Sequence, residues 1–309
     1  MIDINKVQEP ESLKEVAKFI ASNNAIITKI NSYKKNNAFG DSDSPSDALV
    51  IPTANTDKSI ILAVNNRTGI ATEDSETNRI GIFESIRDIA CSGGTLNGSA
   101  YINCTGNIAD SSDYQKFTES FHSASNNNSQ NSILGVVGTL ENNKYKMTLD
   151  FKSKGHDLFL IGTAVEDINS SIYLNQYHKI NESAPQYYSI EEEFEVQKVI
   201  RDIIRKGFIA SAHNVSKGGL FISLMESAMH RGLGFDVLTD SDIRPDAYLF
   251  GESQGRVLVS VDPIFETEFI DYIKFQNVQC TMLGHVTKGE FRIDDESFGF
   301  VADYKQIYL

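Results

Sequence analysis

Basic residues are scarce in this chain of 309 residues, which carries 28 Lys and Arg against 42 Asp and Glu, for a formal net charge of −14. A nucleic-acid-binding surface needs clustered Lys and Arg, so this balance argues against a nucleic-acid-binding protein. An anionic small molecule would then require a local pocket that is positive or rich in N–H groups.

Cysteine is also rare. Cys91, Cys104 and Cys280 are an odd number without metal-ligand spacing, so they imply no disulfide framework and fit reduced thiols in a cytoplasm. The N-terminal stretch MIDINKVQEPESLKEV contains acidic residues and no long apolar run, which argues against a signal peptide or a membrane span. The sequence therefore predicts a soluble cytoplasmic protein.

Several standard motifs are missing. There is no GxxxxGK[ST] loop, no GxGxxG that opens a helix after a strand, and no serine-hydrolase nucleophile elbow. No internal repeat has a solenoid period. These absences exclude the two common nucleotide-binding fingerprints, but not nucleotide binding of another kind.

What the chain does contain is a hydrophobic content of 40% with 18 Phe and 12 Tyr, which supports a packed globular protein. Its length favours two domains. Because the strand and helix pattern restarts near Lys144, we place the boundary between residues 1–145 and residues 146–309.

Hydrophobic spacing and capping residues predict the secondary structure. Helices are expected at Glu11–Ile20, Ile80–Ala90, Asp110–Ser123, Ser189–Gly207, Leu220–Arg231 and Ile264–Ile273. Strands are expected at Ser59–Val64, Ser99–Cys104, Ile133–Gly138, Met147–Phe151, Asp157–Gly162, Phe208–Ala212, Val257–Val261, Cys280–Val286 and Glu290–Ile293. Polar loops are expected at Asn36–Asp47 and Asn126–Asn131.

The stretch Lys206–Leu220 is the most informative one. It reads as a strand, a polar tip at His213 and Asn214, and a turn at Gly218–Gly219 that starts a helix. Polar side chains at a strand end beside free helix N–H groups are typical of an anion site, although glycine pairs also form ordinary tight turns. His213 could donate to a phosphate or act as a general base, or it could simply satisfy local backbone groups.

Four polar clusters lie next to predicted strands. They are Asn65–Gly69, Asn103–Asn107, Ser211–Gly219 and Glu252–Arg256. Cys91 precedes Ser92-Gly93-Gly94 at a helix end with no histidine nearby, so a packed thiol is favoured over a nucleophile.

Taken in order, these segments resemble a known family. The motifs AHNVSKGGL and LFGESQGRVLVSV resemble the second half of phosphoribosylformylglycinamidine synthase, in the superfamily of aminoimidazole ribonucleotide (AIR) synthetase. Upstream, ESIRDIACSGG resembles the family's Ala-Arg-Asn-Ile-Val-Cys-Ser-Gly-Gly helix end, and LAVNNRTG stands where the family has Thr-Thr-Asp and a turn. The resemblance extends from about Leu13 to Val286.

The resemblance implies a two-domain AIR-synthase-like fold. An α/β N-terminal domain would pair its sheet with a second copy to form a barrel, an α+β C-terminal domain would follow, and ligand would bind in the groove between them. Enzymes of this family activate a formamide oxygen with ATP and Mg²⁺ and then admit ammonia from a glutaminase. Partners implied are a phosphorylated small-molecule substrate, a second copy or a related half, and a separate glutaminase subunit.

The resemblance also suggests the site residues. His213 is the catalytic candidate, and the nucleotide- or phosphate-binding candidates are Asn65, Asn66, Asn103, Asn214, Gly218, Gly219, Ser253, Gln254 and Arg256. No metal ligand is assigned, because Asn65 or Asn66, Asn103 and Asn214 stand where the family has acidic residues, and Mg²⁺ bound with nucleotide prefers carboxylates.

Other departures concern whole segments. The family's Gly-Asn-Val-Ser segment is absent, its Gly-Gly-Ser-Glu loop is replaced by Asn169-Ser170-Ser171-Ile172, and neither a second half nor a glutaminase domain is present. The leading hypothesis is therefore a subunit or half of this synthase with a degenerate nucleotide site. The alternatives are a non-catalytic paralogue that acts as a dimeric scaffold or phosphate-binding module, and another ATP-dependent member of the superfamily such as a small-molecule kinase.

Overall fold

The structure, a computed structural model, describes residues 3–27, 45–65, 75–99 and 134–308. The first of its two sheets is antiparallel throughout and has the strand order β1-β2-β4-β3. Its strands are β1 (Leu49–Pro52), β2 (Ser59–Asn65), β3 (Thr95–Ser99) and β4 (Leu134–Leu140).

The second sheet has seven strands in the order β11-β10-β7-β9-β5-β8-β6. All neighbours are antiparallel except β7 and β10, which are parallel. Its strands are β5 (Asp157–Ile161), β6 (Ser211–Asn214), β7 (Gly234–Val237), β8 (Val257–Val261), β9 (Cys280–Thr287), β10 (Glu290–Ile293) and β11 (Glu296–Phe300).

Helices cover these sheets. They are α1 (Leu13–Ala21), α2 (Ser75–Cys91), α3 (Ile190–Lys206), α4 (Gly219–Met229), α5 (Pro245–Phe250), α6 (Glu266–Ile273) and α7 (Val301–Lys305), with a π-helical turn at Tyr173–Tyr177 and 3₁₀ turns at Ile4–Lys6, Asn143–Tyr145, Pro263–Phe265 and Gln306–Tyr308. Helix α2 packs on the first sheet. On the second sheet, α3 and α6 pack on one face and α1, α4, α5 and α7 on the other.

Burial on both faces explains why the central strands read as unbroken apolar runs. In β5, Leu158 and Leu160 enter the core with α4, while Phe159 and Ile161 enter the core with α3. Side chains alternate between the two faces of a strand, so a strand covered on both sides needs an apolar residue at every position.

The N-terminal segment packs on the second sheet rather than the first. Ile4, Val7 and the buried face of α1 belong to the core formed with α4 and α5. Arg244 fixes the start of this segment, because its Nη1 donates to the carbonyl oxygens of Ile4 at 2.8 Å and Val7 at 2.9 Å. The boundary expected after residue 145 stays a prediction, and residues 4–26 share a core with the C-terminal side of it.

Most predicted elements that lie within the described residues are confirmed. The helix caps agree in detail: Ser189 Oγ accepts the N–H of Glu192 at 3.3 Å, and Gly207 ends α3 with a positive φ of 73°. Three predicted segments lie outside the described residues: the helix Asp110–Ser123, the loop Asn126–Asn131 and the strand Ser99–Cys104 apart from Ser99 itself. Most of the predicted loop Asn36–Asp47 also lies outside them.

Two predictions about strands are wrong. Met147–Phe151 is not a strand; this segment runs irregularly between Tyr145 and β5. The strand predicted at Phe208–Ala212 lies at Ser211–Asn214, so His213 and Asn214 are within the strand rather than at its tip. The apolar run Phe208–Ala212 placed the predicted strand too early, because the polar residues His213 and Asn214 belong to the strand and are buried against other polar groups. Within the described residues, no helix combines the length and apolar character needed to cross a membrane.

Candidate functional site

Three of the four segments that carry the family resemblance meet at one place. Strand β6 pairs with β8 so that Asn214 lies opposite Val257, and the N–H of Val215 donates to the carbonyl of Arg256 at 3.0 Å. The C-terminal half of α2 lies against the same strand end, where Arg87 reaches Asn214. The Ser211–Gly219 and Glu252–Arg256 clusters therefore lie side by side.

Arg87 is the centre of the site. Its Nε donates to Asn214 Oδ1 at 2.6 Å, its Nη2 donates to Gln254 Oε1 at 2.8 Å, and its Nη1 forms an ion pair with Glu193. The side chains of Arg87 and Glu193 are 0% and 1% exposed. A buried charge needs a partner and satisfied donors, so this arginine holds α2, α3, β6 and the loop before β8 in one arrangement.

Asn214 and Asp88 continue the network. Asn214 Nδ2 donates to Asp88 Oδ1 at 2.6 Å, and the backbone N–H of Asn214 donates to Asp47 Oδ2 at 2.8 Å. Burial and the nearby carboxylate of Asp47 raise the pKa of Asp88 well above its ordinary value. The amide of Asn214 thus uses both its donor and its acceptor within the protein.

His213 lies between two carboxylates. Its Nδ1 is 2.6 Å from Asp47 Oδ1 and its Nε2 is 2.7 Å from Glu226 Oε2, with the His213 side chain 1% exposed. Burial alone lowers the pKa of His213, but Asp47 and Glu226 raise it to about 9. A histidine that is cationic at neutral pH and bonded through both ring nitrogens is not available as a general base, which argues against the catalytic role predicted for it.

The Gly218–Gly219 turn has the expected backbone shape. Both residues have positive φ, 83° and 72°, which favours glycine. A Cβ at Gly219 would come within 2.6 Å of the carbonyl oxygen of Leu249. The N–H of Gly219 donates to Ser216 O at 2.9 Å, and the N–H of Gly218 donates to Glu252 Oε1 at 2.9 Å, so the chain itself uses both groups.

Gln254 and Arg256 are also held internally. Gln254 Nε2 donates to Gln186 Oε1 at 3.1 Å and to the carbonyl of Glu252 at 3.0 Å. Arg256, 1% exposed, donates from Nη2 to Gly251 O at 2.7 Å and from Nε to Ser253 O at 3.2 Å. Burial lowers the pKa of Arg256 to about 10. These bonds stabilise the turn before β8, and they differ from the predicted phosphate contacts.

The structure locates only some of the remaining predicted site residues. Asn65 is the last residue of β2, while Asn66 and Asn103 lie outside the described residues. Cys91 is 1% exposed and burial raises its pKa well above the ordinary value, in agreement with a packed thiol. In the part of the chain that the structure describes, no three His, Cys, Asp or Glu side chains are grouped to hold a metal ion.

Sequence reasoning missed the charged partners of this network. Arg87, Glu193 and Asp47 were not assigned to the site, although Arg87 stands four residues after Phe83 on the apolar stripe of α2. A charge at a core position of a helix was the available signal. Glu193 stands in the acidic run Glu191–Glu193 at the start of α3, and the sequence does not distinguish which of these carboxylates is buried.

Comparison with known proteins finds similarity to the same family. Residues 153–295 match the family model of AIR synthase related protein, C-terminal domain. A relative from Moorella thermoacetica, phosphoribosylformylglycinamidine synthase subunit PurL, is 34% identical over 152 residues, which are 49% of this chain and 21% of the relative. The same subunit from Alkaliphilus metalliredigens is 25% identical over 320 residues, covering 94% of this chain and 43% of the relative.

A solved structure shows that the fold is shared. The structure of T. maritima PurL complexed with FGAR covers 99% of this chain and 55% of its own, with a TM-score of 0.69 at 13% identity. This chain therefore spans less than half of the two curated relatives and about half of the solved protein. The chain has an AIR-synthase-like fold and resembles PurL in sequence, and its residues 153–295 match the AIR synthase related C-terminal domain.

Proposed function

We propose that this chain is a subunit or half of phosphoribosylformylglycinamidine synthase and takes part in the ATP-dependent conversion of formylglycinamide ribonucleotide to its amidine in purine biosynthesis. One observation supports this most directly: three of the four motifs that resemble the family converge on Arg87, which bonds Asn214 and Gln254 from the other two and also pairs with Glu193 on α3. Motifs that are separate in the sequence pack together in this way only if the chain adopts the family's fold. A similar amino-acid composition alone would not bring them together.

In this proposal ATP supplies the phosphoryl group that activates the formamide oxygen. The residues of this chain bind and position the ligands in the groove between the two sheets. Asn65, Asn66 and Asn103, at or after the ends of the first sheet's strands, remain candidates for direct ligand contact. Six residues shape the border of the groove by fixing its loops: Asn214, Gly218, Gly219, Ser253, Gln254 and Arg256. His213 acts there as a positioning residue.

Mg²⁺ fits the described residues poorly. They contain no group of three suitable ligands, and the carboxylate of Asp88 already accepts Asn214. Amides at the family's acidic positions bring no charge to the ion, so we derive no step through Mg²⁺. ATP affinity should then change little when the ion is chelated. A large magnesium-dependent gain in calorimetry would instead restore a metal-dependent catalytic site.

A second candidate function is a non-catalytic scaffold, which is favoured by the internal use of His213, Asn214 and Arg256. The proposed partners are a second copy or a related half and a glutaminase subunit, with the cytoplasm as the proposed location. Calorimetry with ATP and formylglycinamide ribonucleotide separates the two functions. Binding of both ligands supports the synthase role. A folded chain that binds neither ligand would support the scaffold function instead.

A further inference from the structure

The carboxylate of Glu252 joins two loops that are far apart in the sequence. Its Oε1 accepts the N–H of Gly218 at 2.9 Å and the N–H of Ile172 at 2.9 Å. Its Oε2 accepts the side-chain amide of Gln186 at 3.1 Å. Glu252 is 3% exposed, so these three donors surround a carboxylate that is removed from solvent.

The donors form an arrangement that suits an oxyanion. Gly218 is the N-cap of the 11-residue helix α4, where unpaired N–H groups and the helix dipole favour negative charge. Ile172 contributes a second N–H from the loop that replaces the family's Gly-Gly-Ser-Glu segment. Two backbone donors from different loops that converge on one oxygen are a geometry that phosphate oxygens also accept.

Two neighbouring groups strengthen this assignment. The hydroxyl of Ser253, the next residue, is buried and finds no hydrogen-bond partner within the described chain. Arg256 is close enough for Glu252 to contribute to its electrostatics: burial lowers the pKa of Arg256, and the Glu252 carboxylate partly opposes that shift. The residue next to Glu252 thus carries an unused hydroxyl, and Arg256 lies near enough for its charge to act on an anion held here.

We propose that these N–H groups form an oxyanion site whose resident ligand is the chain's own Glu252. A tethered carboxylate competes at a high effective concentration with any free anion. Glu252 thereby excludes phosphate-type oxyanions from the N-terminus of α4 and fixes the Gly218 and Ile172 loops together. This inference rests on the hydrogen bonds alone and does not depend on the role in purine biosynthesis.

Removal of the carboxylate tests the proposal. Glu252→Ala leaves the N–H groups of Gly218 and Ile172 without their acceptor and opens space for inorganic phosphate, whereas Glu252→Gln keeps an acceptor oxygen in place and should stay closed. The probe is inorganic phosphate, followed by thermal unfolding and by the amide NMR signal of Gly218. A site with millimolar affinity should raise the Tm of E252A by roughly 3 °C or more beyond the wild-type shift at ~100 mM phosphate.

Ile203→Ala is the control for general salt effects, because it removes buried apolar atoms from α3 and no polar group. Its Tm should rise with phosphate only as much as that of the wild type. If E252A folds only when phosphate is present, the proposal is supported. The proposal is overturned if phosphate shifts the amide NMR signal of Gly218 in the wild type. It is also overturned if phosphate raises the Tm of E252A no more than that of the control, or if E252A stays unfolded in phosphate.

Discussion

Arg87 on α2 and Asn214 on β6 are joined by a hydrogen bond of 2.6 Å from Nε to Oδ1, although 127 positions separate them in the chain. This bond ties the helix that covers the first sheet to an edge strand of the second sheet. Both side chains are buried, so the relative position of the two sheets depends on polar groups that water cannot replace.

Removal of Arg87 should strongly destabilise the protein. In Arg87→Met, Glu193 would lose its ion-pair partner in the interior, and Asn214 and Gln254 would each lose a donor. Breaking a buried pair from one side costs ~3–5 kcal/mol of unfolding free energy. Urea denaturation followed by circular dichroism measures this loss.

Arg205 provides the matched control. Its ion pair with Glu141 is 3.5 Å long, and the two side chains are 41% and 68% exposed. Since exposed pairs contribute only about 0–1 kcal/mol, Arg205→Met should change the free energy of unfolding very little. Equal effects of the two substitutions would show that the Arg87 network does not hold the sheets together.

The stability of the protein should fall at alkaline pH because of His213. Its pKa is about 9 in the folded state against 6.5 for the unperturbed group, so the folded state binds the proton more tightly. The stabilisation is complete below the unfolded pKa and is lost as pH rises through about 9. Linkage converts this difference to ~3 kcal/mol.

Two measurements check this expectation. NMR of the imidazole nitrogens should show His213 titrating well above neutrality, and unfolding experiments between pH 6 and pH 10 should show the fall. Substitution of the exposed His285 by Gln serves as a control for the loss of an imidazole outside this network. An imidazole of His213 that is neutral at pH 7 would contradict its ion pairs with Asp47 and Glu226.

The sequence predicted the apolar elements better than the polar network. Helix α3 was predicted in full because its N-cap Ser189, its apolar stripe and its terminal Gly207 agree with one another. Strand β6 was misplaced, since its His213 and Asn214 look like a polar tip and are instead buried against Asp47, Glu226 and Arg87. Long-range pairing of charges has no local signature, and the sequence could not reveal which carboxylate faces which donor.

The outer face of the first sheet should form a contact with a second copy or a related half. Ile60 is 44% exposed and lies opposite Ile51 on β1, while Leu62 lies opposite both Leu49 and Val137. A row of partly exposed apolar side chains on one sheet face is typical of an interface. We therefore expect Ile60→Glu to weaken self-association about 10-fold or more, which corresponds to a loss of ~1.4 kcal/mol.

Sedimentation equilibrium of the wild type and of two variants measures the association. Ile264→Glu is the control, since Ile264 is 70% exposed and lies in the turn before α6, away from the first sheet. This substitution should leave the dimer intact. A wild-type chain that remains monomeric at micromolar concentration, with no partner in a cell extract, would exclude the interface.

Arg256 distinguishes a ligand contact from a structural contact. If Arg256 contacted ligand directly, as the family resemblance suggests, Arg256→Ala would weaken nucleotide or ribose-phosphate binding by roughly 1.5–3 kcal/mol, the range for hydrogen bonds to charged groups. In the structure both of its bonds go to backbone carbonyls, those of Gly251 and Ser253. We therefore expect the same loss in the free energy of unfolding instead, because the turn before β8 loses two charged donors.

Thermal unfolding and ligand calorimetry on the same variant separate these two roles. The structural role is supported if the Tm falls and if any loss of ligand affinity is no larger than the loss of folded protein can explain. Arg256→Lys keeps the charge but cannot reproduce two donors in a planar fork, so it should recover only part of the Tm. An unchanged Tm with lost phosphate binding would return Arg256 to direct ligand contact, and it would require the guanidinium to leave Gly251 and Ser253 when ligand binds.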